Sequence, residues 1–358
     1  MMTKLESALA SALSIATFVT SAGLALGGAL TACASPNIPG DEASEGAGKT
    51  ETGSPGGAKL PGTDKPADAP AQTPPTTPTN TLPGMPPVAT CDLTKSFAAP
   101  VEVTGLPAGQ SFATPRLSRD ELTLFVTTRS TGAGATSRMS KIVRPSLVAP
   151  FGAPVVLDAQ SSPSANDNDP TISADGATLW FSSERVGGQD RLFMAPWMAA
   201  TGTFGAPQMA PASITSNAED KHPYYRVTGG GELWFVSTRG GQQDIYVAKK
   251  TMAGFDVPLR VDELRSSYAS RQPMVTEDGL TIVYATDRAG GVGSKDLWTA
   301  RRATSTVPFG APEPITAVNS PAEENAGWIS NDGCRLYFSS DRLGADVQRV
   351  FVAARPAK

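Results

Sequence analysis

Short runs of alternating apolar and polar residues fill the chain from residue 91 onward, and the clearest run covers residues 170–185. Its apolar positions predict two β-strands on either side of Asp175-Gly176. An Asp-Gly pair tolerates the positive φ values that short hairpin loops require. The second arm ends in Ser183-Glu184-Arg185. This stretch therefore predicts a β-hairpin that ends in an arginine.

The same hairpin pattern recurs along the chain, with 56, 54, 49 and 54 residues between successive arginines. The arginines are Arg129, Arg185, Arg239, Arg288 and Arg342, and the aromatic residues four positions earlier are Phe125, Phe181, Phe235, Tyr284 and Phe338. A third strand follows each hairpin. A fourth begins with Phe-x-x-Pro, at Phe97, Phe151, Phe204, Phe255 and Phe309. Four short strands at a period near 50 residues predict an all-β fold, the β-propeller.

The phase of the repeat predicts how the ring closes. A Phe-x-x-Pro segment at Phe97 precedes every hairpin, and the chain ends after the third strand of the last repeat. Residues 97–103 are therefore expected to complete the final blade, which removes the open edge that the ring would otherwise expose. The prediction is a five-bladed β-propeller closed by an N-terminal strand.

The sequence of the repeat also resembles that of a known family. The run from Pro170 to Arg185, together with Asp244-Ile245-Tyr246, is similar to the WD40-like repeat of TolB-type propellers. The resemblance covers residues 97–355 and implies the propeller repeat, not an activity. TolB has six blades, so its partners are not transferred to this chain.

The residues before the repeats predict export. Residues 1–33 form a signal sequence that ends in the lipobox-like Leu30-Thr31-Ala32-Cys33, so Cys33 is the expected lipidation site. An uncleaved membrane anchor or an ordinary signal peptide are the alternatives. Residues 34–90 are rich in Pro, Gly and Thr and predict a disordered linker, and residues 91–358 form the folded domain. Together they indicate a monomeric bacterial envelope lipoprotein attached to the membrane by its lipid. Ala34 lacks the aspartate typical of inner-membrane retention, so the outer membrane is preferred.

The net charge and the cysteine content bear on nucleic-acid binding and on a disulfide. The net charge of −4 gives no basic footprint for nucleic acid. Once Cys33 carries lipid, Cys91 and Cys334 remain, and in an exported domain they are expected to form a disulfide. Two buried free thiols are the alternative.

The repeated arginines are interpreted as structural, because a residue that returns in every repeat usually serves the scaffold. Each is expected to pair with the acid that opens the next strand, as Arg185 would with Asp190. A ring of cations that binds an acidic ligand is the alternative.

A binding site is expected where the first strands of the blades converge on the axis. The polar residues near that point are Asn168, Asp169, Asp220, His222, Arg271, Gln272, Glu324 and Asn325. They predict a mixed-charge channel mouth that would bind a sugar or a polar peptide. Ordinary solvated loop polarity is the alternative.

No catalytic residue, metal site or cofactor is predicted. His222 is the single histidine, and neither a nucleophile motif nor a zinc-ligand set accompanies it. Asp169, Asp220 and Glu324 are candidates for glycosidase chemistry by location alone. The predicted function is non-catalytic binding of an envelope glycan or protein. The alternatives are a five-bladed glycoside hydrolase and a purely structural envelope protein. A carboxylate pair clustered in the mouth would favour the hydrolase.

Overall fold

The computed structural model describes residues 91–129, 136–344 and 347–358, and it confirms the five-bladed β-propeller. The proposed signal sequence, Cys33 and the linker lie outside these residues. Within the described ranges, no helix is long and apolar enough to cross a membrane.

Short strands make up nearly all of the regular structure. In chain order they are β1 (Val101–Glu102), β2 (Ser111–Leu117), β3 (Thr123–Arg129), β4 (Ser137–Val143), β5 (Val155–Val156), β6 (Asp167–Ile172), β7 (Thr178–Ser183), β8 (Arg191–Met198), β9 (Thr203–Phe204), β10 (Gln208–Met209), β11 (Asp220–Arg226), β12 (Glu232–Ser237), β13 (Asp244–Thr251), β14 (Gly254–Phe255), β15 (Leu259–Arg260), β16 (Ser270–Val275), β17 (Thr281–Thr286), β18 (Asp296–Arg301), β19 (Glu313–Pro314), β20 (Glu324–Ile329), β21 (Arg335–Ser340) and β22 (Arg349–Ala354). Two 3-10 turns, Thr228–Gly230 and Asp262–Leu264, lie between strands.

Each blade is an antiparallel sheet that runs outward from one inner strand. Blades 1 to 5 begin with β2, β6, β11, β16 and β20. Each inner strand contacts the inner strands of the two neighbouring blades, and β20 contacts β2, so the ring is closed. Large apolar side chains such as Trp180, Phe235 and Phe338 are buried.

The fifth blade is closed by the N-terminal segment, as the repeat phase predicts. Val101 pairs with Val352 and Glu102 with Phe351, so β1 is the outer strand beside β22. The disulfide between Cys91 and Cys334 confirms the predicted pairing, and its Cα–Cα distance of 5.6 Å lies within the usual range. Both termini of the domain are thereby held in one blade.

The outer strands start later than the Phe-x-x-Pro pattern predicts. Each starts four residues after its phenylalanine, as β1 does after Phe97 and β5 after Phe151. Phe97 and Phe151 are buried instead, each beneath an arginine that lies 4.0 Å or 4.6 Å from the ring centroid. Phe97 and Phe151 therefore pack their blades, and the pairing residues come after them. Phe204 and Phe255 also pair, with Trp197 and Lys250, in the short strands β9 and β14.

Every inner strand carries a β-bulge at the same point. The register shifts between Ala113 and Arg116, and between Asn168 and Thr171, and equivalent shifts occur in the other three blades. A bulge leaves a residue unpaired and turns its side chain away from the regular pleat. In the propeller this changes which side chains face the axis.

Candidate functional site

The repeated arginines stabilise the blades from within, but their partner differs from the sequence interpretation. Arg185 binds Asp167 at 2.6 Å, and Asp190 is not its partner. Arg239 binds Asp220 at 2.8 Å and Arg342 binds Glu324 at 2.9 Å. The acid is the first residue of the inner strand, which lies directly opposite the end of the second strand. Antiparallel pairing, not nearness in sequence, brings the two charges together.

Among the described residues, blades 1 and 4 lack this ion pair. In blade 4 the acid position is Ser270, and Arg288 lies over the Trp298 ring, 5.2 Å from its centroid. In blade 1 the register shows that Arg129 lies one position too early to be equivalent to Arg185. Arg129 is exposed and lines a cavity on the axis. Its assignment to the repeated set was therefore wrong.

This axial cavity has a volume of about 530 Å³ and receives residues from all five blades. Five of the eight predicted mouth residues line it, namely Asn168, Asp169, His222, Gln272 and Asn325. Asp220 and Glu324 do not, because each is buried in its blade beneath an arginine. Arg271 also lies outside the lining, with its Nη1 atom 3.6 Å from Asp287.

Four residues at the bulges, one from each of blades 1 to 4, form a ring around the cavity. Thr114, Asp169, His222 and Gln272 all line it, and all have left-handed backbone conformations, with φ values between 49° and 56°. Each precedes a proline. Left-handed conformations of non-glycine residues are uncommon and concentrate at functional sites. The recurring x-Pro pair in the first strand was the sequence signal for this ring.

Sequence reasoning missed other lining residues. Asp190, Lys221 and Glu323 bring charges into the cavity, and Ser111, Thr127, Ser137 and Gln348 add neutral polar groups. Lys221 and Glu323 each lie next to a predicted residue. Asp190, Ser111, Ser137 and Gln348 lie at or beside strand ends, and Thr127 lies within β3. Only the folded ring reveals that they face one cavity.

Asp169 is the buried acid of this ring, with 5% of the residue exposed. Ser182 donates from Oγ to its Oδ2 at 2.7 Å, and the Asp169 backbone N–H donates to Thr127 Oγ1 at 2.9 Å. The Nε2 atom of His222 lies 3.6 Å from the same Oδ2, beyond hydrogen-bond distance. These contacts hold the carboxylate at the base of the cavity.

His222 is neutral at pH 7. Burial lowers the pKa of its imidazole to about 4, against an opposing effect of Asp169, and the positive charges of Lys221 and Arg116 lower it further. The carboxylate of Asp169 therefore faces a neutral ring rather than a cation.

Arg116 lies deeper on the axis and is 1% exposed. Its guanidinium donates to the carbonyl oxygens of Gly327 and, at 3.3 Å, Pro273, and it lies 5.2 Å from the centroid of the Tyr224 ring. Burial lowers its pKa to about 10, which still leaves it charged at pH 7. Arg116 thus connects the inner strand of blade 1 to blades 3, 4 and 5.

Asp190 and Lys221 form a second charged group in the cavity, with 3.8 Å between Oδ2 and Nζ. Burial and then the negative charge of Asp169 raise the pKa of Asp190 to about 7, although Lys221 opposes the change. Lys221 also binds Glu219 at 2.9 Å. Asp190 therefore changes its protonation near neutral pH.

An amide network forms the opposite wall. Gln272 donates from Nε2 to Asn325 Oδ1 at 3.0 Å, and Asn325 Nδ2 donates to Glu323 at 3.0 Å and Gln348 at 3.2 Å. Lys295 holds the Glu323 carboxylate at 2.6 Å. The Glu323 carboxylate can only accept hydrogen bonds, so Asn325 must turn its NH₂ group toward Glu323. The Asn325 oxygen then faces Gln272, which must turn its own NH₂ group toward it. The Oε1 atom of Gln272 is left as a buried acceptor without a described partner.

The lining is suited to hydrogen bonding. Among the described lining residues, the imidazole of His222 is the only ring, whereas Trp180, Trp234, Trp298 and Trp328 are buried in the blades. Across the described ranges, no group of three or more His, Cys, Asp or Glu side chains is placed to hold a metal ion.

The sequence matches no protein-family model and no curated protein. Among solved structures, a thermostable family-43 glycoside hydrolase is 10% identical with a TM-score of 0.50, over 71% of this chain and 92% of that one. A protein described as TolB from Agrobacterium tumefaciens is 19% identical with a TM-score of 0.43, over 69% of this chain and 79% of that one. The GH62 α-L-arabinofuranosidase catalytic domain of Coprinopsis cinerea is 11% identical with a TM-score of 0.46, over 73% and 96% of the chains. At such low identity the likeness to the family-43 protein concerns the fold alone.

Proposed function

We propose that this chain is a non-catalytic binding protein of the bacterial envelope, attached to the membrane through Cys33, whose axial cavity takes a polar ligand. The observation that carries this proposal is the state of the carboxylates in the lining. Asp169 accepts from Ser182, Asp190 faces Lys221, and Glu323 is held by Lys295. A hydrolase needs two carboxyl groups placed across a scissile bond, whereas Asp190 and Glu323 each face a lysine, which leaves Asp169 as the one lining acid without a Lys or Arg contact among the described residues.

The size and chemistry of the cavity limit its ligand. A volume of about 530 Å³ falls within the range of ordinary small-molecule sites. The amides and hydroxyls of the wall favour a ligand rich in hydrogen-bonding groups, such as part of an envelope glycan or a polar segment of an envelope protein. The described lining residues offer hydrogen-bonding groups and no Phe, Tyr or Trp, so the proposed ligand is held by polar contacts.

Binding of the full-length chain to an array of envelope glycans and envelope proteins tests the proposal. Asn325→Ala removes the amide that links Gln272 to Glu323, and it should weaken binding at least tenfold. Asp158→Asn, at a carboxylate whose side chain is 80% exposed and outside the lining, is the matched control. If the array yields no ligand, or if Asn325→Ala binds as the control does, the proposal is wrong.

One observation favours the glycoside hydrolase as a second candidate. Asp190 has a pKa of about 7 beside Asp169, and a carboxyl group that keeps its proton near neutral pH is what a general acid requires. Release of reducing sugar from plant and bacterial polysaccharides, abolished by Asp190→Asn, would establish hydrolysis. Ligand binding without sugar release would exclude it for those substrates. A purely structural protein would do neither.

A further inference from the structure

We infer that the base of the axial cavity is a subsite for a primary ammonium group, with Asp169 as its anionic partner. This inference rests on the proposed binding function and specifies the chemistry of the ligand.

Asp169 is a buried carboxylate without a contacting cation. No Lys or Arg nitrogen among the described residues lies within 4.0 Å of the Asp169 carboxylate. The Nε2 atom of His222 lies within that distance, but His222 is neutral at pH 7. Its Oδ2 accepts one hydroxyl hydrogen bond, and its Oδ1 accepts none from the described residues. Buried charges in proteins are normally paired, because desolvation without a partner is costly. A cationic ligand group would supply the missing partner.

Two neighbouring blades add hydrogen-bond acceptors. His222 turns Nε2 toward Asp169, which favours the proton on Nε2 and leaves Nδ1 as an acceptor. Nδ1 of His222 and Oε1 of Gln272 are both buried and have no described partner, in residues that are 9% and 5% exposed. With Asp169, three consecutive blades therefore supply acceptors to one cavity. An ammonium group has three donors and no acceptor, so its requirements match this set.

Both acceptor atoms are covered by protein, so each contacts a ligand only after its side chain rotates. The terminal torsions of histidine and glutamine have broad, roughly two-fold preferences, which permits such rotations.

The other charges near the base are compatible with a bound ammonium. Arg116 is directed to the Gly327 and Pro273 carbonyl groups, and Lys221 is shared between Asp190 and Glu219. Arg129 lines the exposed part of the cavity and has no ion pair with the described residues. It is available to an anionic group of the same ligand, as an α-amino acid or peptide end would carry.

The test compares amines with their acetylated forms. The full-length chain is titrated calorimetrically with glucosamine, N-acetylglucosamine and glucose, and separately with alanylalanine and N-acetyl-alanylalanine. We expect at least one free amine to bind ten or more times tighter than its acetylated form. Binding by glucosamine or by the dipeptide alone identifies an amino sugar or a peptide amino end as the source of the ammonium.

Variants separate the subsite from general damage to the fold. Asp169→Asn keeps the size of the side chain and should abolish the preference for the free amine, whereas Asp158→Asn should retain it. Gln272→Glu adds a negative charge beside the subsite and should strengthen amine binding at least threefold. Melting curves for each variant identify any that fail to fold.

The outcomes distinguish this inference from the proposed function. Equal binding of amine and acetylated forms, or an array ligand whose affinity is unchanged in Asp169→Asn, overturns the ammonium subsite and leaves the binding function intact. If neither these probes nor the array bind the wild-type chain, both proposals are wrong.

Discussion

Cys91 and Cys334 are joined by a disulfide across 243 residues, with their Cα atoms 5.6 Å apart. Cys91 lies just before the segment that closes the ring, and Cys334 lies at the turn into the second strand of the same blade. Near this link the backbone N–H of Asp92 donates to the Pro356 carbonyl at 2.9 Å. The covalent bond thus reinforces a closure in which β1 contributes only two paired residues.

Removal of the disulfide should lower the free energy of unfolding. In the chain-entropy model a loop of this length gives an upper figure of about 5 kcal/mol. The Cys91→Ser/Cys334→Ser double variant and the reduced wild type should show similar losses in denaturant unfolding. When the wild-type domain is denatured without reduction, thiol titration should detect neither Cys91 nor Cys334. Two reactive thiols would exclude the bridge.

The ring should open when its closing strand is removed. Deletion of residues 91–104 takes away the partner of Val352 and Phe351 and exposes the edge of β22. Exposed strand edges promote association between chains. We expect aggregation or loss of cooperative melting, measured by light scattering and circular dichroism. A deletion variant that melts as the parent does would show that β1 is not needed for closure.

The ion pairs within the blades should have a measurable effect on stability. Asp220→Ala leaves Arg239 without its acid, and breaking one partner of a buried pair costs about 3–5 kcal/mol. A smaller loss is expected because the Arg239 side chain is 20% exposed. Ser270→Ala, at the equivalent position of blade 4, is the matched control and should change little. If Asp220→Ala and Ser270→Ala lose equal free energies of unfolding, the ion pair between Asp220 and Arg239 does not stabilise the blade.

Asp190 should make stability fall as the pH rises. Its folded pKa of about 7 lies above the ordinary value of 3.8, so the folded state holds the proton more strongly than the unfolded chain. The stabilisation is complete below about pH 4 and is lost as the pH approaches and passes 7. Asp190→Asn should remove this component of the decline between pH 4 and 7, measured by denaturant unfolding at each pH. An unchanged pH profile would show that Asp190 titrates normally.

Lipid attachment at Cys33 is tested by labelling with a fatty acid. The proposed lipobox requires the thiol, so Cys33→Ser should lose the label and move from the membrane fraction to the soluble fraction. Cys91→Ser should keep the label and serves as the control. Equal labelling of wild type and Cys33→Ser would exclude lipidation at this residue.

Local sequence pattern alone determined the strands, turns and number of blades. The turn at Gly176 has a φ of 72°, as the Asp-Gly pair predicts, and the position of Phe97 before the first hairpin led to the closure seen at Val101. The pairing of Cys91 with Cys334 followed from the export signal and from the two cysteines that remain once Cys33 carries lipid. The strands, turns and closure could be predicted because each depends on residues that are near one another in sequence or on the phase of a regular repeat.

Only the tertiary structure decided which side chains meet at the axis. Arg185 selects Asp167 instead of Asp190 because strand register places residues opposite each other, regardless of their separation along the chain. A register change of one residue moves a side chain to the other face of its sheet. The bulges add such a change in each inner strand, which brings Asp169 and His222 into the cavity and leaves Asp220 inside its blade.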